Sequence, residues 1–211
     1  MYSIKNISTS GRVLAACMLT LGSLSAEASV VIQEVLYDGP GTDSDDVFTE
    51  LYGTPGTDLN GWSLAGINGS NGEVYRSIDL SGGVIPGDGV FVIATSSAHS
   101  GLASVTDFIA NIDWQNGPDA IQLFNGAQLI DALQYGDAGA FNAGEGNVAA
   151  DITGLLSLSR DLAGSDTNDN ALDFSAIDPT PGSGPAVVPI PAAAWLFGSA
   201  LVMLGRGRRR R

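Results

Sequence analysis

Turn-forming clusters interrupt this chain at intervals too short for ordinary helices. Gly39-Pro40-Gly41, Gly82-Gly83, Pro86-Gly87-Asp88-Gly89 and Asn125-Gly126 are the clearest. Glycine reaches backbone angles closed to other residues, and proline cannot donate to a ladder, so such clusters end regular elements. The runs left between them are 30–37, 47–53, 62–65, 74–80, 90–94, 121–125, 129–135 and 155–160. Each has strand length, and most are rich in β-branched or aromatic residues. Asn125-Gly126 predicts a tight hairpin turn. Leu129, Leu133 and Tyr135 alternate with Ile130, Ala132 and Gln134, a half-buried strand pattern that Asp131 interrupts on its apolar face. Only 103–112 hints at a helical period. Eight short strands at this spacing predict an all-β sandwich.

Charge divides the chain into three parts. Its formal net charge is −14, from nine Lys and Arg against 23 Asp and Glu. Five of the basic residues are Arg206, Arg208, Arg209, Arg210 and Arg211, and two more, Lys5 and Arg12, precede the body. Residues 29–187 keep only Arg76 and Arg160 against 22 acids. A nucleic-acid site relies on clustered Lys and Arg, so this body is expected to repel DNA and RNA. Cys17 is the only cysteine. It lies in the leader described next, so disulfides and thiolate chemistry are not expected of the body.

The N-terminus reads as a signal peptide over 1–28. Two positive charges precede an apolar run, residues 13–24, of signal-core length and too short to span a bilayer. Ala26 and Ala28 supply the small residues of a cleavage site, expected after Ala28. Leu14-Ala15-Ala16-Cys17 resembles a lipoprotein box, but the apolar core continues past Cys17 to Leu24, the wrong order for lipidation.

The other end carries a second address. Residues 184–190 are linker and motif, and 191–205 run from Pro191 without a charge, with Pro191 suited to a first helical turn. As a helix these 15 residues span about 22 Å, short for a ~30 Å bilayer core. Trp195 suits one interface, and the basic tail 206–211 would stay cytoplasmic. A plain membrane anchor would satisfy these features. Val188-Pro189-Ile190-Pro191-Ala192, then Trp195-Leu196-Phe197-Gly198-Ser199, then the terminal arginines, also resemble the PEP-CTERM type of sorting tail in its VPLPA-like variant. That resemblance implies recognition by an exosortase-like enzyme, cleavage near the prolines, and delivery of the body to the cell surface.

The body resembles the lamin-tail domain in an ordered series of motifs. These are residues 31–38 (VIQEVLYD), 48–52 (FTELY), 58–64 (DLNGWSL), 85–94 (IPGDGVFVIA), 120–124 (AIQLF) and 130–136 (IDALQYG). Ser157-Leu158-Ser159-Arg160, Asp173-Phe174 and Thr180-Pro181-Gly182 close the series. The resemblance implies an immunoglobulin-like β-sandwich over 29–183. It places Trp62 in the core and Glu34 and Glu50 inside strands, as hydrogen-bonding groups at a sheet rim rather than a carboxylate pair for glycoside hydrolysis.

Sites for chemistry are sparse. Asp166, Asn168, Asn170 and Asp173 set oxygens at alternating positions, as calcium loops do. Ala171 stands where such a loop turns on glycine, and Ile177 where it uses glutamate, so a structural Asx-rich turn is the competing reading. The acidic loop 42–46 is read as solvated. His99, the only histidine, lies among Ser96, Ser97 and Ser100 without a nucleophile elbow, and is expected in an exposed loop. Of the tryptophans, Trp114 is a better candidate than Trp62 for an exposed ring that could contact a sugar. The overall expectation is an exported, non-enzymatic surface or matrix module with no cofactor. A calcium-dependent adhesin or polysaccharide binder is the alternative, followed by a secreted hydrolase.

Overall fold

The computed structural model describes residues 30–184 except 155 and 163. The signal peptide with Ala26 and Ala28, the sorting motif 188–192, the expected helix 191–205 and the terminal arginines lie outside the described residues. Among the described residues, no helix is long and apolar enough to cross a membrane.

Among the described residues, ten strands form two sheets. The first is ordered β10-β9-β1-β2-β5-β6 and the second β4-β3-β7-β8. Their ranges are β1 Val31–Leu36, β2 Phe48–Tyr52, β3 Trp62–Asn68, β4 Val74–Asp79, β5 Val90–Ala94, β6 Phe108–Ile109, β7 Asp119–Asn125, β8 Gln128–Tyr135, β9 Ser157–Ser159 and β10 Ser175–Ile177. All pairings are antiparallel except β5 with β6. The architecture is sandwich-like, consistent with the immunoglobulin-like fold that the sequence resemblance implies.

All eight expected runs contain a strand. The additions, β6 and β10, are two and three residues long, too short to leave a periodic signal. Residues 103–112 are not helical. Only Ser100–Ala103 makes a turn of helix, α1, and the chain then extends into β6. A second turn, α2, spans Asn170–Asp173. The β7–β8 hairpin closes through Gly126-Ala127, with Gly126 at φ 59° and Asn125 paired to Gln128. Positive φ at the first central position suits the right-handed twist of the flanking strands.

Strand alternation places one face of each sheet in a shared core. Leu64, Ile121, Leu123, Leu133 and Tyr135 from the second sheet join Ile32, Val35, Leu51, Phe91 and Ile93 from the first. Tyr135 stacks on Tyr37, with ring centroids 4.2 Å apart. Trp114, the candidate for an exposed ring, is 2 % exposed. Its indole Nε1–H donates to Thr49 Oγ1 at 2.8 Å, which lets it enter the core without an orphaned donor.

Part of the outward face of the second sheet is covered too. Ala132 and Gln134 lie under the loop 139–145, where the Gln134 carboxamide accepts the N–H of Ala143 at 2.9 Å. Gly144 passes so close to Gln134 that a Cβ would collide with it. This is why β8 is buried on both sides from Asp131 to Tyr135, where alternation predicts only half burial.

Trp114→Ala should destabilise the fold by about 3–5 kcal/mol, the usual cost of an aromatic cavity. Trp114→Phe should cost less but more than ~1 kcal/mol, because Thr49 loses a buried donor and some volume is lost. Denaturant midpoints at unchanged slope measure both.

Candidate functional site

The strongest concentration of polar chemistry surrounds Arg160, which directly follows β9. Its guanidinium has no exposed surface. Nε donates to the Ile32 carbonyl of β1 at 3.0 Å, and Nη2 to Asp131 Oδ1 of β8 at 2.8 Å. Nη1 donates to the Ser165 carbonyl at 2.9 Å and to Asp173 Oδ2 of α2 at 3.0 Å. The plane also lies 4.4 Å from the centre of the Phe174 ring. The five donors of a rigid planar fork serve all four acceptors here, one more than the three donors of a lysine could reach.

Asp131 is equally buried. Its other oxygen accepts the N–H of Ile32. The interruption of the apolar pattern in β8 is therefore an inter-sheet ion pair. Burial raises the Asp131 carboxyl above its usual range, against the opposing pull of Arg160 and the Ile32 N–H. Asp173 goes the other way. Burial works to raise it, but bonds from Thr167 and Arg160 outweigh this and hold it below the usual range.

A third group of carboxylates meets here. Oxygens of Asp131, Glu145 and Asp166 lie within 4.8 Å of one another. Glu145 Oε2 is buried without a hydrogen-bond partner. Burial pushes the Glu145 carboxyl up to about 7, and the Asp131 and Asp166 charges add to the rise.

Of the four residues expected as calcium ligands, only Asp166 joins this group, and it also lies 3.6 Å from Arg160. Asn170 points into the fold. Its Oδ1 accepts the N–H groups of Gln134 and Glu145, and its Nδ2 donates to the Ala132 carbonyl. Asp173 accepts from Arg160 and Thr167, and Asn168 takes a left-handed turn at φ 58°. Asp169 caps α2 by accepting the N–H of Ala171. These bonds are those of an Asx-rich turn.

Glu34 and Glu50 are not at a rim. They face each other across β1 and β2, central strands of the first sheet, and are 1 % and 0 % exposed. Glu34 accepts from Ser157 Oγ, from the Thr180 N–H and from Thr180 Oγ1. Glu50 accepts the N–H of Gly182 at 2.8 Å, while its Oε1 has no partner among the described residues. Burial pushes Glu50 up to about 8, against the pull of the Gly182 N–H and with the help of Glu34, Asp88 and Asp107.

His99 is exposed as expected, yet it is tied down. Its Nδ1 accepts the N–H groups of Gly101 and Leu102, capping α1, and its Nε2 lies 3.7 Å from Asp46. Ser97 Oγ donates instead to the Ser44 carbonyl. The loop 42–46 contains a short 3-10 turn, Asp43–Asp45.

Beside the Arg160 cluster opens a groove of about 490 Å³. Gln33, Ser159, Thr180 and Ser183 are among the residues that line it, with Leu162 and Leu172 alongside. Those two leucines are 77 % and 75 % exposed.

Sequence reasoning missed Arg160 as an organising residue. Two signals were available: it is one of two arginines in an acidic body, and Asp131 stands alone on an apolar strand face. Their separation of 29 residues hides the pairing from any local pattern.

Arg160→Met should cost about 3–5 kcal/mol, because Asp131 is left buried without its counter-charge. Adding Asp131→Leu should restore part of that loss. Denaturation of the two single variants and the double variant measures the coupling.

Residues 23–137 match the family model of the Lamin Tail Domain, which covers β1 to β8. No curated protein and no solved structure matches the chain. Arg160, α2, β10 and the segment over Glu34 and Glu50 follow the matched residues, yet they complete the first sheet and the charge cluster. The match extends over more than half the sequence and agrees with the two-sheet architecture: the chain belongs to the Lamin Tail Domain family.

Proposed function

We propose that this protein is an exported, non-enzymatic surface or matrix module whose sandwich serves a structural or interaction role. Its signal peptide directs it outward. Its C-terminal tail, with Val188, Pro189, Ile190, Pro191 and Ala192 as the sorting motif, hands it to an exosortase-like enzyme. Trp195, Leu196, Phe197 and the terminal arginines hold it in the membrane during that transfer.

One observation carries the reading of the body. Its most buried ionisable groups are engaged in holding the fold together. Arg160 joins β1 to β8, and Glu34 and Glu50 accept from the segment 180–182; the exposed His99 is likewise engaged, as a helix cap. A general acid or base must instead reach a substrate proton in an open site. Nucleic acid is disfavoured as a partner. Of the body's two arginines, Arg160 is buried, leaving Arg76 against a strongly acidic surface.

A calcium-dependent form of the same role is favoured by the approach of Asp131, Glu145 and Asp166. Hard divalent cations favour such oxygen donors. In this form calcium should release heat on titration and raise the melting temperature. The absence of both would leave the calcium-free module.

Sorting is tested by locating the tagged protein with and without residues 188–211. The full chain should reach the cell surface, and the truncated chain should be secreted or retained elsewhere. An unchanged surface location on truncation would refute the sorting reading.

A further inference from the structure

After β10 the chain does not leave the sandwich at once. It crosses the outer face of the first sheet, where Pro179 and Pro181 help to line a groove with Leu36, Phe48 and Leu102. Its attachment to the sheet is unusual. The Thr180 N–H and Oγ1 donate to Glu34 at 2.8 and 2.6 Å, and the Gly182 N–H donates to Glu50 at 2.8 Å. These N–H groups go to two buried carboxyls rather than to a backbone ladder. Close packing completes the contact. Gly182 adopts φ 78° against Val105, and a Cβ on Gly184 would collide with Val90.

We propose that residues 178–184 form a pH-sensitive strap, latched by the Glu34–Glu50 pair while Glu50 is protonated and released when Glu50 ionises. Two carboxylates placed directly opposite in a buried site cannot both be charged without a large penalty. Glu50 Oε1, fully buried without a partner among the described residues, is where that charge would be left uncompensated. The surrounding groups reinforce this. Glu34 faces it from β1, and Asp88 and Asp107 bear on it from the segments before β5 and β6. Asp178 begins the strap, and His99 and Asp46 flank the prolines. Arg160 is engaged by Asp131 and Asp173.

The direction of the response follows from linkage. With the strap docked, the Glu50 proton is held up to about 8. Release admits water, and the carboxyl returns toward its ordinary value of about 4.3. The docked strap is the proton-binding state. Its latch is therefore strongest below the ordinary carboxyl range, weakens as pH rises through neutrality, and is lost above about 8.

The consequence for processing rests on the sorting reading above. Three residues separate Gly184 from Val188, so a docked strap keeps the motif within about 14 Å of the sheet. Release frees the preceding seven residues, 178–184, and adds up to about 25 Å of reach. A processing enzyme that needs an extended substrate would then be favoured by alkaline conditions.

Hydrogen exchange of the full chain in detergent micelles, from pH 6 to 9 and corrected for intrinsic rates, tests the strap. Protection of 178–184 should fall at least about tenfold across that range, while β7 and β8 keep theirs. Glu50→Gln should retain protection at pH 9, and Gly184→Ala should lower it already at pH 6. A flat wild-type profile, a loss shared equally by β7 and β8, or an E50Q variant that titrates like the wild type would overturn the proposal. The wild-type profile decides alone if a variant fails to fold. Because exchange reads the strap and not delivery, a pH-independent strap would leave the sorting reading standing.

Discussion

One guanidinium holds the two sheets in register. Arg160 reaches a β1 carbonyl, the Asp131 carboxylate of β8, and Asp173 at the end of α2. A charge removed from water costs several kcal/mol unless its partners are well placed. Here three carboxylates, two carbonyls and an aromatic face surround it. The ion pair therefore acts as a specificity device, since a misfit that separates the partners leaves two buried charges uncompensated. Any slip of β8 by one residue would turn Asp131 to the opposite face and strand the arginine.

Burial of the outward faces over β1, β2 and the second half of β8 is a second constraint. A sandwich of this length can leave its outer faces to water, as β4 does here, but irregular chain covers the outer side of these strands. The loop 139–145 lies over β8, and the strap lies over β1 and β2. Irregular chain carries backbone groups that need partners. Asn170, Gln134, Glu34 and Glu50 are those partners. The acidic composition thus has two parts, a solvated surface load and a few buried acceptors with defined donors. Only the second shapes the fold.

Much of the architecture was legible in the chain. Turn clusters at Gly82-Gly83 and Pro86-Gly87-Asp88-Gly89 bracketed strands because their backbone requirements are local. Short elements were not legible, since two or three residues in β6 and β10 carry no period. Trp114 was misplaced for a different reason. Its flanking Asp113, Gln115 and Asn116 look like a solvent-facing loop, and the decisive partner, Thr49, lies 65 residues away. Glu34 and Glu50 were correctly set in strands but given to a rim, because the covering segment arrives 146 and 132 residues later.

The sequence by itself determined strand-length segments, their turns, an acidic body with no thiol chemistry, and the family motifs from β1 to β8. Those properties follow from local backbone preference and composition. Only the tertiary structure decided which polar residues became internal. Asp131 with Arg160, Glu34 beside Glu50, and Asn170 under β8 are set by contacts between distant segments. Hydrophobic periodicity says that a side chain faces inward, but not which donor will be waiting there. That depends on the packing of the sheets and on the path of the chain that covers them.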